Sequence, residues 1–185
     1  MNTFINDALD VCRFRLNPLA QYQYPTWQLF VILLGLGLTS AATAEGFVGD
    51  IGARVVFFTA LNALEIIMLA QFMRWWLRLS GWKEDAPLLP FILLTHLPQL
   101  LEPLSTWFPE PLDQVVGLSF AIYALMVMIH GLAKYSGLTR FRVVMGMVLF
   151  TPLALLILSL MLGLAVQLGW IDPSLLPSAT ESNAP

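Results

Sequence analysis

The stretch Val143–Gly169, VVMGMVLFTPLALLILSLMLGLAVQLG, decides the fold class of this chain. It contains no charged residue, and as an α-helix it would be about 40 Å long at about 1.5 Å per residue. The hydrocarbon core of a bilayer is about 30 Å thick, and a helix needs about 20 apolar residues to cross it. The sequence therefore predicts a membrane-spanning helix here.

The composition of the whole chain agrees with a membrane protein. Of its 185 residues, 58% are hydrophobic and 11% are charged, against roughly 45–50% and 25% in soluble domains. The net charge of −3 and the single cysteine exclude a basic nucleic-acid binder and a disulfide scaffold. We expect an all-α, polytopic membrane protein with the lipid bilayer as its main surroundings and no nucleic-acid partner.

Five segments are predicted to cross the membrane. Four are long and apolar, whereas the third is short and contains Pro90, Pro98 and Pro103. Proline removes a backbone donor and kinks a helix, so the third segment is either a bent crossing or a re-entrant segment. The predicted bundle of five transmembrane helices occupies residues 27–170, with crossings at about 27–44, 55–77, 88–104, 115–133 and 143–169.

The basic residues predict the orientation. With five crossings, eight of the nine lysines and arginines lie on one side, and Arg54 is alone on the other. Cytoplasmic loops collect lysine and arginine, so we expect a cytoplasmic N-terminus and an external C-terminus, in a bacterial inner membrane. A re-entrant third segment would place Lys134, Arg140 and Arg142 outside, so five crossings are favoured.

Two short segments flank the bundle. Residues 1–26 are predicted to form a cytoplasmic segment with a short amphipathic helix, because its apolar residues share one helical face and Asp7, Asp10 and Arg13 fall elsewhere. The apolar face comprises Phe4, Ile5, Ala8, Leu9, Cys12 and Leu16. Residues 171–185 contain prolines and small polar residues and are predicted to form a disordered external tail.

Small residues lie along one side of the first crossing. Gly37, Ala41 and Ala44 share that side with Ser40. Small residues let helix backbones approach closely. This pattern favours packing inside the bundle, with an interface to a second copy as the alternative.

Few ionisable residues fall within the predicted crossings. Glu65 lies near the middle of the second, with Asn62 and Thr59 on roughly the same face, and His96 lies near the middle of the third. Because these crossings are antiparallel neighbours, Glu65 and His96 are expected at similar depth. Intramembrane ionisable residues often bind protons or ligands. The alternative is structural: Glu65 holds helices together and His96 caps backbone groups freed by the prolines.

Basic residues of two predicted cytoplasmic loops form a second candidate site, here called the basic end. It comprises Arg74, Arg78, Lys83, Lys134, Arg140 and Arg142. These residues are predicted to form one patch that binds a partner at the cytoplasmic surface. The alternative is that these charges only fix the topology and contact anionic headgroups. The two histidines and one cysteine have no metal-ligand spacing, and we expect no metal, no cofactor and no enzymatic activity.

The most distinctive pattern joins the last two crossings. FAIYALMVMIHGL at 120–132 is followed by KYSGLTRFR at 134–142 and then by a long apolar run. This resembles the C-terminal half of bacterial Yip1-family membrane proteins, in which a helix ending in Gly-Leu leads through a basic turn into the last crossing. The five-crossing topology is also similar to that family. The resemblance implies a non-enzymatic integral membrane protein without cofactor or catalytic residue.

The sequence favours two functions. The first is a scaffold or accessory subunit of a membrane complex, which binds a membrane-protein partner or a second copy through the basic end. The second is a small transporter or proton-coupled permease that uses the polar residues at the membrane midplane.

Overall fold

The computed structural model describes residues 2–44, 47–83 and 86–171. Within these ranges the chain is helical and contains no strand, and Phe47 and Ile171 form an isolated bridge. The all-α fold class is therefore confirmed for this part of the chain. The predicted disordered tail lies outside the described residues, apart from Ile171.

Six α-helices follow one another along the described chain. A 3-10 turn at Leu19–Gln21 precedes the second, and a longer 3-10 segment at Leu97–Trp107 follows the fourth. The helices are α1 Asn2–Cys12, α2 Thr26–Thr43, α3 Ile51–Leu79, α4 Leu89–Thr95, α5 Leu112–Ser136 and α6 Arg140–Gln167. Helices α2, α3, α5 and α6 are long and apolar enough to span a membrane. They coincide with the first, second, fourth and fifth predicted crossings.

Capping residues explain why α3 and α6 begin earlier than predicted. A carboxylate oxygen of Asp50 accepts a hydrogen bond from the Ala53 amide at 2.7 Å, and the Thr139 hydroxyl accepts one from the Arg142 amide at 3.4 Å. Both bonds satisfy backbone donors that a helix start leaves free. The predicted apolar segments begin directly after Arg54 and Arg142, whereas the helices extend back to their caps.

The third predicted crossing is not one continuous helix. Helix α4 ends at Thr95, and the chain continues as the 3-10 segment. Pro98 and Pro103 lie within that segment and have no amide hydrogen to donate to the preceding turn. The α-helical hydrogen-bond pattern is therefore interrupted beyond His96, and this stretch is not among the four spanning helices.

Contacts show how far α4 and the 3-10 segment extend. The ring centroid of Phe91 lies 6.0 Å from that of Tyr22, before α2, and 5.1 Å from that of Tyr135, near the end of α5. Ser105 lines a cavity with Thr43, the last residue of α2. Together, α4 and the 3-10 segment extend from the start of α2 to its end.

Helix α1 packs against the bundle through a buried acid. Asp7 is only 8% exposed, and its carboxylate accepts hydrogen bonds from the Tyr24 hydroxyl at 2.7 Å and the Asn17 amide at 3.3 Å. Burial and this carboxylate raise the pKa of the Tyr24 phenol. Asp7 therefore faces the bundle, although the helical pattern grouped it with Asp10 and Arg13.

Candidate functional site

Glu65 lies at the midpoint of α3, which runs from Ile51 to Leu79. At about 1.5 Å per residue, each end of the helix is about 21 Å away. Its side chain is exposed on the bundle rather than packed in the core. A charged carboxylate at the centre of a bilayer costs several kcal/mol, so this position requires a neutral group or a partner.

His96 lies at the break between α4 and the 3-10 segment, and its ring has one fixed hydrogen bond. Its Nδ1 is 2.8 Å from the carbonyl oxygen of Ile92. A carbonyl oxygen can only accept, so Nδ1 carries the hydrogen. In the neutral ring, Nε2 is then an acceptor. The helix break thus presents a proton acceptor within the bundle.

Glu65 and His96 line the same cavity, which has a volume of about 300 Å³. Gln99 is the third polar residue in its wall. The remaining lining residues are apolar and come from α3, α5 and α6: Leu69, Ala121, Ala124, Leu125, Met128, Met147 and Phe150. The structure therefore brings together a carboxyl group, an imidazole and an amide at the middle of the span.

Gln99 was not among the residues selected from the sequence. A 3-10 helix has three residues per turn, so side chains at i and i+3 lie on one side. His96 and Gln99 have this spacing, and Pro98 between them disfavours an α-helix. A period of three residues around the prolines is the signal in the sequence that could have identified Gln99.

Asn62 and Thr59 do not line this cavity. The Asn62 amide donates to the Ser40 hydroxyl at 3.2 Å, and Thr59 packs against Gly37, so both face α2. Each step of three residues turns an α-helix by about 300°. Thr59 is two such steps before Glu65, so the two side chains are about 120° apart around α3. The four residues predicted as one polar site therefore divide between two helix interfaces.

The polar side chains in the wall of the cavity can hold a proton and can form hydrogen bonds. When protonated, the Glu65 carboxyl is a hydrogen-bond donor, whereas Nε2 of neutral His96 is an acceptor and the Gln99 amide is both. Glu65 also borders a second groove of about 210 Å³ beside Thr151 and Ala154 of α6. The carboxyl group thus lies between two cavities and can contact a group in either.

The basic end is assembled from α3, α5 and α6. The Trp76 indole donates to the Arg142 carbonyl at 2.9 Å, which joins the end of α3 to the start of α6. The Lys134 ammonium donates to the Leu16 carbonyl at 3.2 Å, and the Arg140 guanidinium contacts His130 Nδ1 at 3.2 Å. Arg74 and Arg78 lie on the last turns of α3, and Lys83 follows that helix.

Within residues 2–44, 47–83 and 86–171, no three His, Cys, Asp or Glu side chains are grouped so that they could hold a metal ion. The resemblance to bacterial Yip1-family proteins stays a prediction, because comparisons with family models, with curated proteins and with solved structures find no match for this chain.

Proposed function

We propose that this chain is a non-enzymatic scaffold or accessory subunit of a membrane complex and that its basic end binds an acidic partner. The observation that carries the proposal is the Trp76–Arg142 hydrogen bond. It holds the last turn of α3 beside the first turn of α6, so that two basic stretches lie at one end of the bundle. The partner is a membrane protein or a second copy of the chain.

The proposal includes five crossings, with α4 and the 3-10 segment together as the third. Its support is the packing of Phe91 beside Tyr22 and Tyr135, and the cavity that Ser105 lines together with Thr43. With a segment that starts at one end of α2 and finishes at its other end, α5 begins opposite the basic end and runs back toward it. Because cytoplasmic loops collect lysine and arginine, the proposal has the basic end in the cytoplasm, the N-terminus inside and the C-terminus outside a bacterial inner membrane.

Helix α1 is proposed to lie at the cytoplasmic surface of this membrane as an amphipathic helix. Ile5 and Leu9 are 50% and 49% exposed, and the opposite side of the helix is held to the bundle through Asp7. An apolar side next to a bundle that spans the membrane fits the boundary between headgroups and acyl chains. The basic turn at 134–142 and the proposed five-crossing topology are the features that support membership of the Yip1 family.

The test of the scaffold proposal is purification of the full chain in mild detergent at native expression. We expect a particle heavier than the chain with a stoichiometric partner, identified by mass spectrometry. Replacing Arg78→Gln together with Arg142→Gln should release the partner. The matched control neutralises two charges at the opposite end, Glu110→Gln with Asp113→Asn, and should leave the complex intact. A particle of the mass of one chain, or release by both pairs, contradicts the proposal.

A second candidate function is a small proton-coupled permease. The observation that favours it is the shared cavity of Glu65, His96 and Gln99. Intramembrane acids and histidines form the proton relays of many transporters, and this cavity combines a donor and an acceptor. The scaffold proposal does not use these side chains.

Flux in proteoliposomes tests the second candidate. A pH-sensitive dye inside the vesicles should report proton entry through the unmodified chain. Glu65→Gln keeps the size of the side chain but cannot release a proton, so proton entry should fall to that of empty vesicles. Glu110→Gln is the matched control and should not change it. Equal flux in empty vesicles and in vesicles with the unmodified chain excludes this function.

A further inference from the structure

An apolar groove of about 700 Å³ runs along the bundle between α1, the 3-10 segment and α5. Ile5 and Leu9 of α1 and Leu101 of the 3-10 segment are among its wall residues. The two hydroxyls in the wall already have acceptors: Ser119 donates to the Val115 carbonyl, and Tyr123 donates to the Cys12 carbonyl. The groove therefore offers its occupant apolar contacts.

A cationic pocket of about 430 Å³ lies next to this groove. Phe14, His130 and Arg140 line it with Met126 and Ile129. The Arg140 guanidinium can only donate, so the 3.2 Å contact makes His130 Nδ1 the acceptor. The neutral ring then carries its hydrogen on Nε2. One of the five guanidinium donors is used in this bond, which leaves donors on both side chains for an anion.

The groove and the pocket share one face of α5. Ser119 and Tyr123 line the groove, and Met126 and His130 line the pocket. Steps of three and four residues keep side chains on one side of a helix. The rings of Phe14 and Tyr123, 5.8 Å apart, mark the boundary. Since α5 runs toward the basic end, the pocket lies nearer that end and the groove lies deeper in the bundle.

We propose that the groove and the pocket together bind one anionic phospholipid. Arg140 and His130 hold the phosphate, and the groove holds an acyl chain. The order of the two cavities matches that of a lipid, whose charged headgroup lies at the surface and whose chains point to the midplane. Charge complementarity favours an anionic lipid, because Arg140 lines the pocket and the exposed Arg13 and Arg15 precede and follow Phe14 in the chain. Arg140 also belongs to the basic end, so this site borders the surface proposed for partner binding, where Arg78 and Arg142 are the residues tested.

Native mass spectrometry of the full chain in a neutral detergent tests the proposal. The protein is titrated with phosphatidylglycerol and, separately, with zwitterionic phosphatidylcholine of the same acyl chains. We expect one bound phosphatidylglycerol and a clear preference over phosphatidylcholine. Arg140→Gln should weaken phosphatidylglycerol binding about tenfold, the scale of one charge-assisted hydrogen bond. Arg142→Gln removes the same charge two residues away but does not line the pocket, and should retain both affinity and preference.

Two further arms separate the acyl chain from the phosphate. Leu9→Ser introduces a polar wall at an exposed position and should weaken binding of both lipids while the preference persists. Glycerol 3-phosphate, which has the phosphate but no acyl chain, should not displace the lipid. Arg140→Lys keeps the charge without the planar donor pair and should bind more tightly than Arg140→Gln, which attributes the loss to the charge. An unchanged thermal unfolding temperature in detergent shows that each variant remains folded.

Three results overturn the proposal. Equal losses in Arg140→Gln and Arg142→Gln mean general attraction to the basic end. Displacement of the lipid by glycerol 3-phosphate means that the pocket binds a soluble phosphate. A lipid-free dimer whose interface is abolished by Leu9→Ser means that a second copy occupies the groove.

Discussion

Cys12 is a partly buried residue in the wall of the apolar groove. Burial raises the pKa of its thiol, because it disfavours the charged thiolate. Only the thiolate reacts with alkylating reagents. We therefore predict that the rate of Cys12 alkylation rises at a higher pH in the folded protein than for a free cysteine, whose pKa is about 8.5.

Alkylation with iodoacetamide in mild detergent, followed by intact mass across pH, measures this shift. The chain contains a single cysteine, so the mass change reports Cys12 alone. The same chain unfolded in dodecyl sulfate is the control and should show the ordinary pH profile. A folded-state profile at or below the unfolded one would show that burial does not govern this thiol.

Single residues were harder to place from the sequence than helices. Glu65 and His96 could be assigned to one depth, because hydropathy locates the helices that carry them. Asn62 could not be separated from Glu65, since its partner Ser40 is 22 positions earlier in the chain. The inward orientation of Asp7 likewise depends on Tyr24, beyond the helix that carries the acid. Tertiary hydrogen bonds decide these orientations.

Helices α2 and α3 approach closely at Gly37. A Cβ atom added there would lie 2.7 Å from the Cα of Thr59, so the backbone of α3 would have to move. We predict that Gly37→Ala destabilises the protein by about 1–3 kcal/mol, the usual cost of overpacking. Gly163→Ala is the matched control, because no atom lies within 4 Å of the added carbon. Thermal unfolding in detergent measures both.

A loss of stability in both variants would mean that glycine is required for helix flexibility rather than for packing. A loss in neither would contradict the close approach of α2 and α3. The small-residue side of the first crossing predicted this contact without naming the partner helix. Gly37 and Ala41 are buried, and Gly37 lies against α3, as expected for packing inside the bundle.

The four long helices could be predicted because each contains a long apolar stretch with few charged residues. The prolines of the third segment showed that it is unusual, but they did not predict its backbone conformation. Losing an amide hydrogen permits a kinked α-helix, a 3-10 helix or a loop. Packing of the 3-10 segment along α5 and α2 selects among them, and residue types alone do not describe that packing.

At the scale of the whole molecule, positive charge is distributed unequally between the two ends of the bundle. The one basic residue assigned to the other side, Arg54, is held locally: its guanidinium donates to the carbonyls of Ala41 at 3.4 Å and Phe47 at 3.0 Å. It also lies 5.6 Å from the centre of the Phe47 ring. A cation near the carbonyl end of α2 stabilises that helix end, so Arg54 has a structural role and does not oppose the proposed orientation.

The measurement that tests the central claim most directly is the side of the membrane on which residue 110 lies. In a Cys12→Ser background, Lys83→Cys and Glu110→Cys are labelled with a membrane-impermeant maleimide in intact cells and in inside-out vesicles. Five crossings predict that position 110 reacts in intact cells and position 83 reacts only in inside-out vesicles. Labelling of both positions only in inside-out vesicles would mean that residues 88–107 return to the side they left, and it would contradict the account.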